Sequence, residues 1–183
     1  MVRTAIFIDE GYWMKVLEGF GRPKIDYRKF SAFLARDESI LRVYYYTALP
    51  YRGKIPTKEE QNRYEKKQGF LNSLSRLDFY EVRCGKLKRM FDENGKPVFQ
   101  QKRVDTLMTC DLLRLTYKAR MDRAVIVTGD SDFIPAIQIT KDEGVQIELV
   151  YGGDKYLPSN DLLLLADTRR ELTRDDLDLF TFV

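Results

Sequence analysis

The chain has 183 residues, with Lys+Arg 31 against Asp+Glu 28 and a formal net charge of +3, which suits one domain with a sizeable core. Hydrophobic residues make up 44% and charged residues 32%, the balance of an ordinary soluble globular protein, and no apolar run nears the ~20 residues of a membrane span. There is no histidine, which excludes Ser-His-Asp and Cys-His triads and every His-ligated metal site, and leaves catalysis to carboxylates, Lys/Arg, hydroxyls, Tyr or Cys.

Residues 3–8 are nearly all apolar and read as a short buried strand, with Asp9 at its carboxyl end. The stretch 11–18 reads as a helix stopped by Gly19, Gly21 and Pro23. Asp26 suits the N-cap of a second helix carrying Phe30, Phe33 and Leu34 at helical spacing. A tyrosine-rich strand is expected over 43–49, then a loop over 50–56. Thr57 with Glu60 three residues on is a capping-box pattern, and opens a helix to about residue 76. A third strand is expected over 79–84. Residues 86–103 read as a β-hairpin around Asn94-Gly95, a strong turn dipeptide.

A helix follows over 104–119, a parallel-type strand over 124–128, and a helix over 132–143 with Pro135 tolerated in its first turn. Gly144 stops that helix before a fifth strand at 145–150, and a leucine-rich helix is expected over 158–166. The alternation predicts an α/β domain, a parallel sheet with helices on both faces, running through 1–183 with 86–103 as a hairpin insertion and 156–183 as a C-terminal helical segment. The opening MVRTAIFIDEG reaches an acid too soon for a signal peptide, so a cytoplasmic location is expected. Cys84 and Cys110 match neither a disulfide framework nor a zinc motif, and are expected reduced and partly buried.

Function in open α/β sheets gathers beyond the carboxyl ends of the strands. Asp9 stands after the first strand, and Asp130 and Asp132 after the fourth. If those strands are neighbours, three carboxylates converge in one crevice, where repulsion costs several kcal/mol by an order-of-magnitude Coulomb argument. A divalent cation removes that cost, and all-oxygen ligands favour Mg²⁺ or Mn²⁺. Helix capping explains the Asp130–Asp132 spacing equally well, and the spacing alone leaves both readings open. In the helix at 104–119, Asp111 shares the apolar stripe of Val104, Leu107, Met108 and Leu115, so it needs an Arg or amide partner. Asp105 in the first turn suits the helix dipole.

The segments AIFIDEGYW at 5–13, QKRVDTLMTCDLLRL at 101–115 and VIVTGDSDFIPAIQITKDEGVQIELV at 125–150, with LPSNDLLLLADTRREL later, come in a familiar order. Together they resemble the NYN domain family, LabA-like, of the PIN-like nuclease superfamily. The resemblance implies a PIN-like Rossmannoid three-layer sandwich with a mainly parallel sheet of about five strands and an inserted hairpin. It also implies a metal-dependent nuclease, acting on RNA, with Asp9, Asp105, Asp130 and Asp132 as Mg²⁺ or Mn²⁺ ligands and catalytic residues. Asp111 matches a further acidic position of the family and, with Thr128 and Ser131, is expected to support the site. Many members carry an Asn soon after the first Asp; here Glu10-Gly11-Tyr12-Trp13 follows Asp9.

A substrate track is expected from Arg52, Lys54, Lys86, Lys88, Arg89, Lys102 and Arg103 on or near the hairpin, with Tyr51, Phe91 and Phe99 available to stack bases. The alternative for the hairpin is a solvated ribbon whose aromatics pack on the domain or on a second copy, making a homodimer. Glu10 and the missing Asn motivate a rival to the nuclease, a catalytically weak module that binds RNA or a protein and regulates. A Toprim-like site, which also uses a late Asp-x-Asp, requires a glutamate where Asp9 stands, and only the neighbouring Glu10 keeps that reading open. A haloacid-dehalogenase phosphatase requires an aspartate where Gly11 stands.

Overall fold

The computed structural model describes residues 1–36, 38–91, 93 and 97–182, with the backbone alone at 88–91, 97–102 and 154. Its frame is one seven-stranded sheet. In chain order the strands are β1 (Arg3–Asp9), β2 (Ser39–Ala48), β3 (Tyr80–Phe91), β4 (Pro97–Lys102), β5 (Arg123–Val127), β6 (Gln146–Tyr151) and β7 (Thr168–Glu171). The helices are α1 (Glu10–Gly19), α2 (Tyr27–Ala35), α3 (Lys58–Leu74), α4 (Val104–Tyr117), α5 (Ile134–Asp142), α6 (Asn160–Leu165) and α7 (Arg174–Phe180).

The strand order is β4-β3-β2-β1-β5-β6-β7. All neighbours are parallel except β3 and β4. The chain winds outward one way through β1, β2 and β3, then returns to β5 beside β1 and winds the other way. The point of reversal lies between β1 and β5, paired from Thr4↔Arg123 to Ile8↔Val127.

Alternation along β1 explains the two cores. Ala5 and Phe7 face Tyr44, Tyr46, Met108, Leu112 and Ile137 on the side of α4 and α5. Ile6 and Ile8 face Trp13, Val16, Phe30, Tyr45 and Phe180 on the side of α1, α2 and α7. Burial on both faces is why this strand is a continuous apolar run. Each large side chain so buried contributes roughly 1.5–3 kcal/mol. Trp13 stacks on Phe30 with ring centroids 4.5 Å apart, which pins α1 to α2.

The expected parallel α/β sandwich is the observed one, with six parallel strands where about five were expected. The sixth, β7, falls within 156–183, so that segment is not helical throughout. Its sequence TRRE carries no apolar alternation; it is drawn into the sheet by Arg170, which bonds the buried Glu148 of β6 at 2.7 Å. The hairpin is continuous with β3, which pairs with β2 as far as Gly85 and with β4 from Lys86 onward. Its Asn94-Gly95 turn and Lys96 lie outside the described residues. Both cysteines are free and exposed, not partly buried, because Cys84 lies on the outer part of β3 and Cys110 on the solvent face of α4. Among the described residues no helix is long and apolar enough to cross a membrane.

Candidate active site

Two strand-to-helix junctions build the site. Asp9 ends β1 and N-caps α1, its Oδ1 accepting from the Gly11 amide at 2.9 Å. Asp130 follows β5 and caps a single 3-10 turn, Ser131–Phe133, its Oδ1 accepting from the Asp132 amide at 2.9 Å. Capping is therefore part of what the paired aspartates do, and Asp130 is the capping residue. The fully buried Thr128 joins the two junctions. Its hydroxyl donates to Asp9 Oδ2 at 3.2 Å and accepts from the Asp130 amide at 3.2 Å.

A cavity of about 580 Å³ opens at the β1/β5 reversal point and is lined by Asp9, Asp105, Asp130, Ser131, Tyr12 and Lys15 among others. The carboxyl ends of the strands on either side of a topological switch point are where α/β sheets bind ligands. Asp105 reaches the cavity from the first turn of α4, whose N-cap Arg103 is in a left-handed conformation (φ 78°). Asp132 is exposed and does not line the cavity. The 3-10 turn delivers its amide, not its carboxylate, toward Asp130.

Electrostatics mark these carboxylates as mutually uncomfortable. Burial pushes the Asp9 carboxyl above the ordinary aspartate value, against hydrogen bonds from Thr128 and the Gly11 and Tyr12 amides, and the Asp105 charge adds to the rise. The Asp105 carboxyl is raised too, by loss of water against the cavity wall and then by the charges of Asp130 and Asp132. Lys15 is the one cation lining the cavity among the described residues.

Asp111 is buried elsewhere in α4 and does not line this cavity. The partner expected for it is arginine, twice over. Arg83 Nε donates at 2.9 Å and Arg114 Nη2 at 2.7 Å, and the Tyr46 hydroxyl donates at 3.2 Å. Glu10, next to Asp9 in sequence, turns to the other side of α1. It is buried and accepts from Tyr45 Oη at 2.9 Å, from Thr47 Oγ1 and from Lys67 Nζ.

Of the expected substrate track, Arg52 and Lys86 line one shallow cavity of about 340 Å³ with Tyr51 and Tyr64. Arg52 lies over the Tyr64 ring at 4.3 Å. Lys54 and Arg103 are exposed and stand outside that lining. The side chains of Lys88, Arg89 and Lys102, like those of Phe91 and Phe99, lie outside the described residues.

Among the lining residues that escaped the sequence reading are Tyr12, Lys15 and Tyr156. Tyr12 Oη donates to the Tyr156 carbonyl at 2.6 Å and accepts from the Gly152 amide at 3.2 Å. Its ring lies where a Cβ on Gly129 would stand. One helical side chain thus braces the loops that follow both β5 and β6. The signal was available in spacing, since Tyr12 and Lys15, three apart on α1, share a face.

A doubly wound α/β domain with carboxylates collected at its switch point is the architecture of the PIN-like nuclease class. The family model of the NYN domain matches residues 3–169, and the chain belongs to that family. A solved structure of a protein of unknown function from Vibrio parahaemolyticus is similar at a TM-score of 0.66 and 17% identity, covering 99% of this chain and 96% of that one. At that identity the likeness speaks for the fold alone. No curated protein matches the chain.

Proposed function

We propose that this chain is a nuclease that hydrolyses phosphodiester bonds in RNA with Mg²⁺ or Mn²⁺ bound at the switch-point cavity. The observation that carries the reading is that Asp9, Asp105 and Asp130, from three separate elements, line one cavity whose only lining cation is Lys15 among the described residues.

The donor set fits a hard divalent cation: it is all oxygen and net negative, and burial first, then neighbouring charge, raises the carboxyls of Asp9 and Asp105. As placed, no three His, Cys, Asp or Glu side chains among the described residues stand close enough to hold one ion. Asp105, on an exposed first turn, is the member free to rotate inward. Asp9, Asp105 and Asp130 would hold the ion, with Asp132 adding negative charge from the rim. A bound divalent ion would supply Lewis acidity at the scissile phosphate and lower the pKa of its bound water, which compensates for the histidine base that the chain lacks.

The chain's own contributions are positional. Thr128 and the Gly11 amide fix the Asp9 carboxylate. Lys15 offers a point charge to a substrate phosphate at the cavity mouth. Arg52 and Lys86, with Lys54, Lys88, Arg89, Lys102 and Arg103 on or near the hairpin, supply the charge that a polyanion needs.

Labelled single-stranded RNA incubated with purified protein and Mn²⁺ tests this. Cleavage is expected, falling at least about a hundredfold in Asp130→Asn, on the scale of losing an essential metal ligand. No cleavage by the wild type, or cleavage that survives Asp130→Asn, overturns the proposal.

A second reading is an RNA-binding module of little or no activity. It is favoured by the missing Asn after Asp9 and by Glu10, which is turned away from the cavity to Lys67. RNA binding without cleavage in the same assay identifies it.

A further inference from the structure

Across α1 from the acidic cavity lies a second one, about 680 Å³, of opposite character. Its wall is apolar: Met14 and Leu17 of α1, Ile25 and Tyr27 before and at the start of α2, Phe70 of α3, and Phe182. Tyr27 and Phe70 meet at 5.6 Å between ring centroids, and Phe182 is 61% exposed. The rim is basic, with Lys24, Arg63 and Lys66 all exposed. Glu10, the one acid that lines it among the described residues, is already matched by Lys67. The pocket therefore carries an uncompensated positive rim over aromatic faces.

We infer that this pocket binds a base and its adjoining phosphate from the same single-stranded RNA whose backbone crosses the acidic cavity. The inference rests on the RNA reading above but not on cleavage. Aromatic faces supply stacking to any base, and the exposed cations supply phosphate contacts. A fatty anion would match the apolar wall with one charge, whereas three cations spread along the rim, from the α1–α2 connection and from α3, match a chain of phosphates. Position supports the strand as well. Glu10 and Met14 face this pocket while Gly11, Tyr12 and Lys15 face the other. One helix, roughly 10 Å across with its side chains, is all that divides them, a distance that a few nucleotides span. A strand bound in this way passes over the N-terminal turns of α1, and the pocket fixes how many nucleotides lie on one side of the scissile bond.

The test is binding of a fluorescein-labelled single-stranded RNA octamer with metal chelated by EDTA, so that no cleavage intervenes. Arg63→Glu/Lys66→Glu reverses the rim, and Met14→Trp fills the pocket from an already exposed position. Each is expected to raise the octamer Kd about tenfold, the order of one lost stack or two lost phosphate contacts. The rim variant should also lower the slope of log Kd against log salt by about 0.7 per contact removed. Adenosine monophosphate should displace the octamer at concentrations where inorganic phosphate and dodecanoate do not. Wild-type affinity in both folded variants overturns the inference, as does displacement by phosphate or dodecanoate equal to that by the nucleotide. If RNA is cleaved in Mn²⁺ while the pocket variants bind normally, the pocket falls and the nuclease stands. If pocket-dependent binding appears without cleavage, the nuclease falls and the pocket stands.

Discussion

The two ends of the sheet treat carboxylates in opposite ways. At the amino ends of the strands, Glu148 is buried and held by Arg170 Nε at 2.7 Å, by Arg36 at 3.1 Å and by Arg123. Glu38 shares Arg123 at 2.5 Å, and Asp122 takes Arg3 at 2.8 Å. At the carboxyl ends, Asp9, Asp105 and Asp130 face a cavity with Lys15 alone among the described residues.

The proton affinities diverge accordingly. Burial pushes Glu148 upward, but hydrogen bonds and charge from Arg123 and Arg170 outweigh it and hold the group below its usual value. Hydrogen bonding from Arg3 draws Asp122 down to about 2. Asp9 and Asp105 move up. Among the described residues the fold therefore pairs Glu148, Glu38 and Asp122 with arginines and leaves Asp9, Asp105 and Asp130 without an ion pair. Carboxylates left open at a cost to stability are what a ligand-binding site looks like before its ligand arrives.

The comparison is broken most severely at the closed end. Glu148→Gln leaves Arg170 without its carboxylate and Arg123 with Glu38 alone, which costs about 3–5 kcal/mol. A fall in Tm on the order of 10 °C is expected in a thermal melt, at roughly 2–4 °C per kcal/mol for a chain of this size. Asp130→Asn at the open end should leave Tm within a few degrees of the wild type. Equal losses at both ends would erase the distinction.

A ligand for the open end gives the next largest effect. Mn²⁺ at a hundred times its Kd should stabilise the fold by about 2.7 kcal/mol, raising Tm by about 5–10 °C. The shift should vanish in Asp9→Asn and persist in Glu10→Gln, whose parent side chain faces the other way. Identical shifts in both variants would place the cation elsewhere.

The smallest effect sharpens the contrast through pH. Glu148 has a folded pKa below its unfolded one, so its contribution is present above about pH 4.5 and is lost as pH falls through the folded value. Asp9 and Asp105 have folded values above the unfolded ones. They favour the fold only while protonated, and that advantage is lost as pH rises from about 4 through the folded values. Asp105→Asn should therefore match the wild type at the acid end and exceed it in Tm by about 1–2 °C at pH 7, a modest gain because the site is open to water. A gain that grows toward low pH would carry the wrong sign.

Much of this was legible because the signals were local. The apolar runs of β1 and β5, each followed by aspartate, set the two strand ends that meet at the cavity, and topology made them neighbours. The capping box at Thr57 and Glu60 formed as read. Asp111 on an apolar stripe demanded a partner, and Arg83 and Arg114 answer it. What escaped depends on distant residues. The strand β7 is polar and exists through Arg170 reaching back to Glu148. The β2 strand begins at Ser39, before its buried tyrosines, because Arg3 to Ala5 of β1 offer partners for its half-buried first residues. Asp130 and Asp132 look equivalent in sequence, yet a 3-10 turn separates their roles. Lys24, Arg63 and Lys66 are scattered along the chain, and only folding places them around one pocket.

Tyr12 gives the site its tolerance. Its ring fills the space that any side chain at 129 would need, and its hydroxyl ties α1 to the loop after β6 at Gly152 and Tyr156. The rim of the cavity is in this sense bolted at one point. Loosening that bolt by Tyr12→Phe should release the amide of Gly152 to hydrogen exchange, while that of Asp130, held by Thr128, keeps its protection.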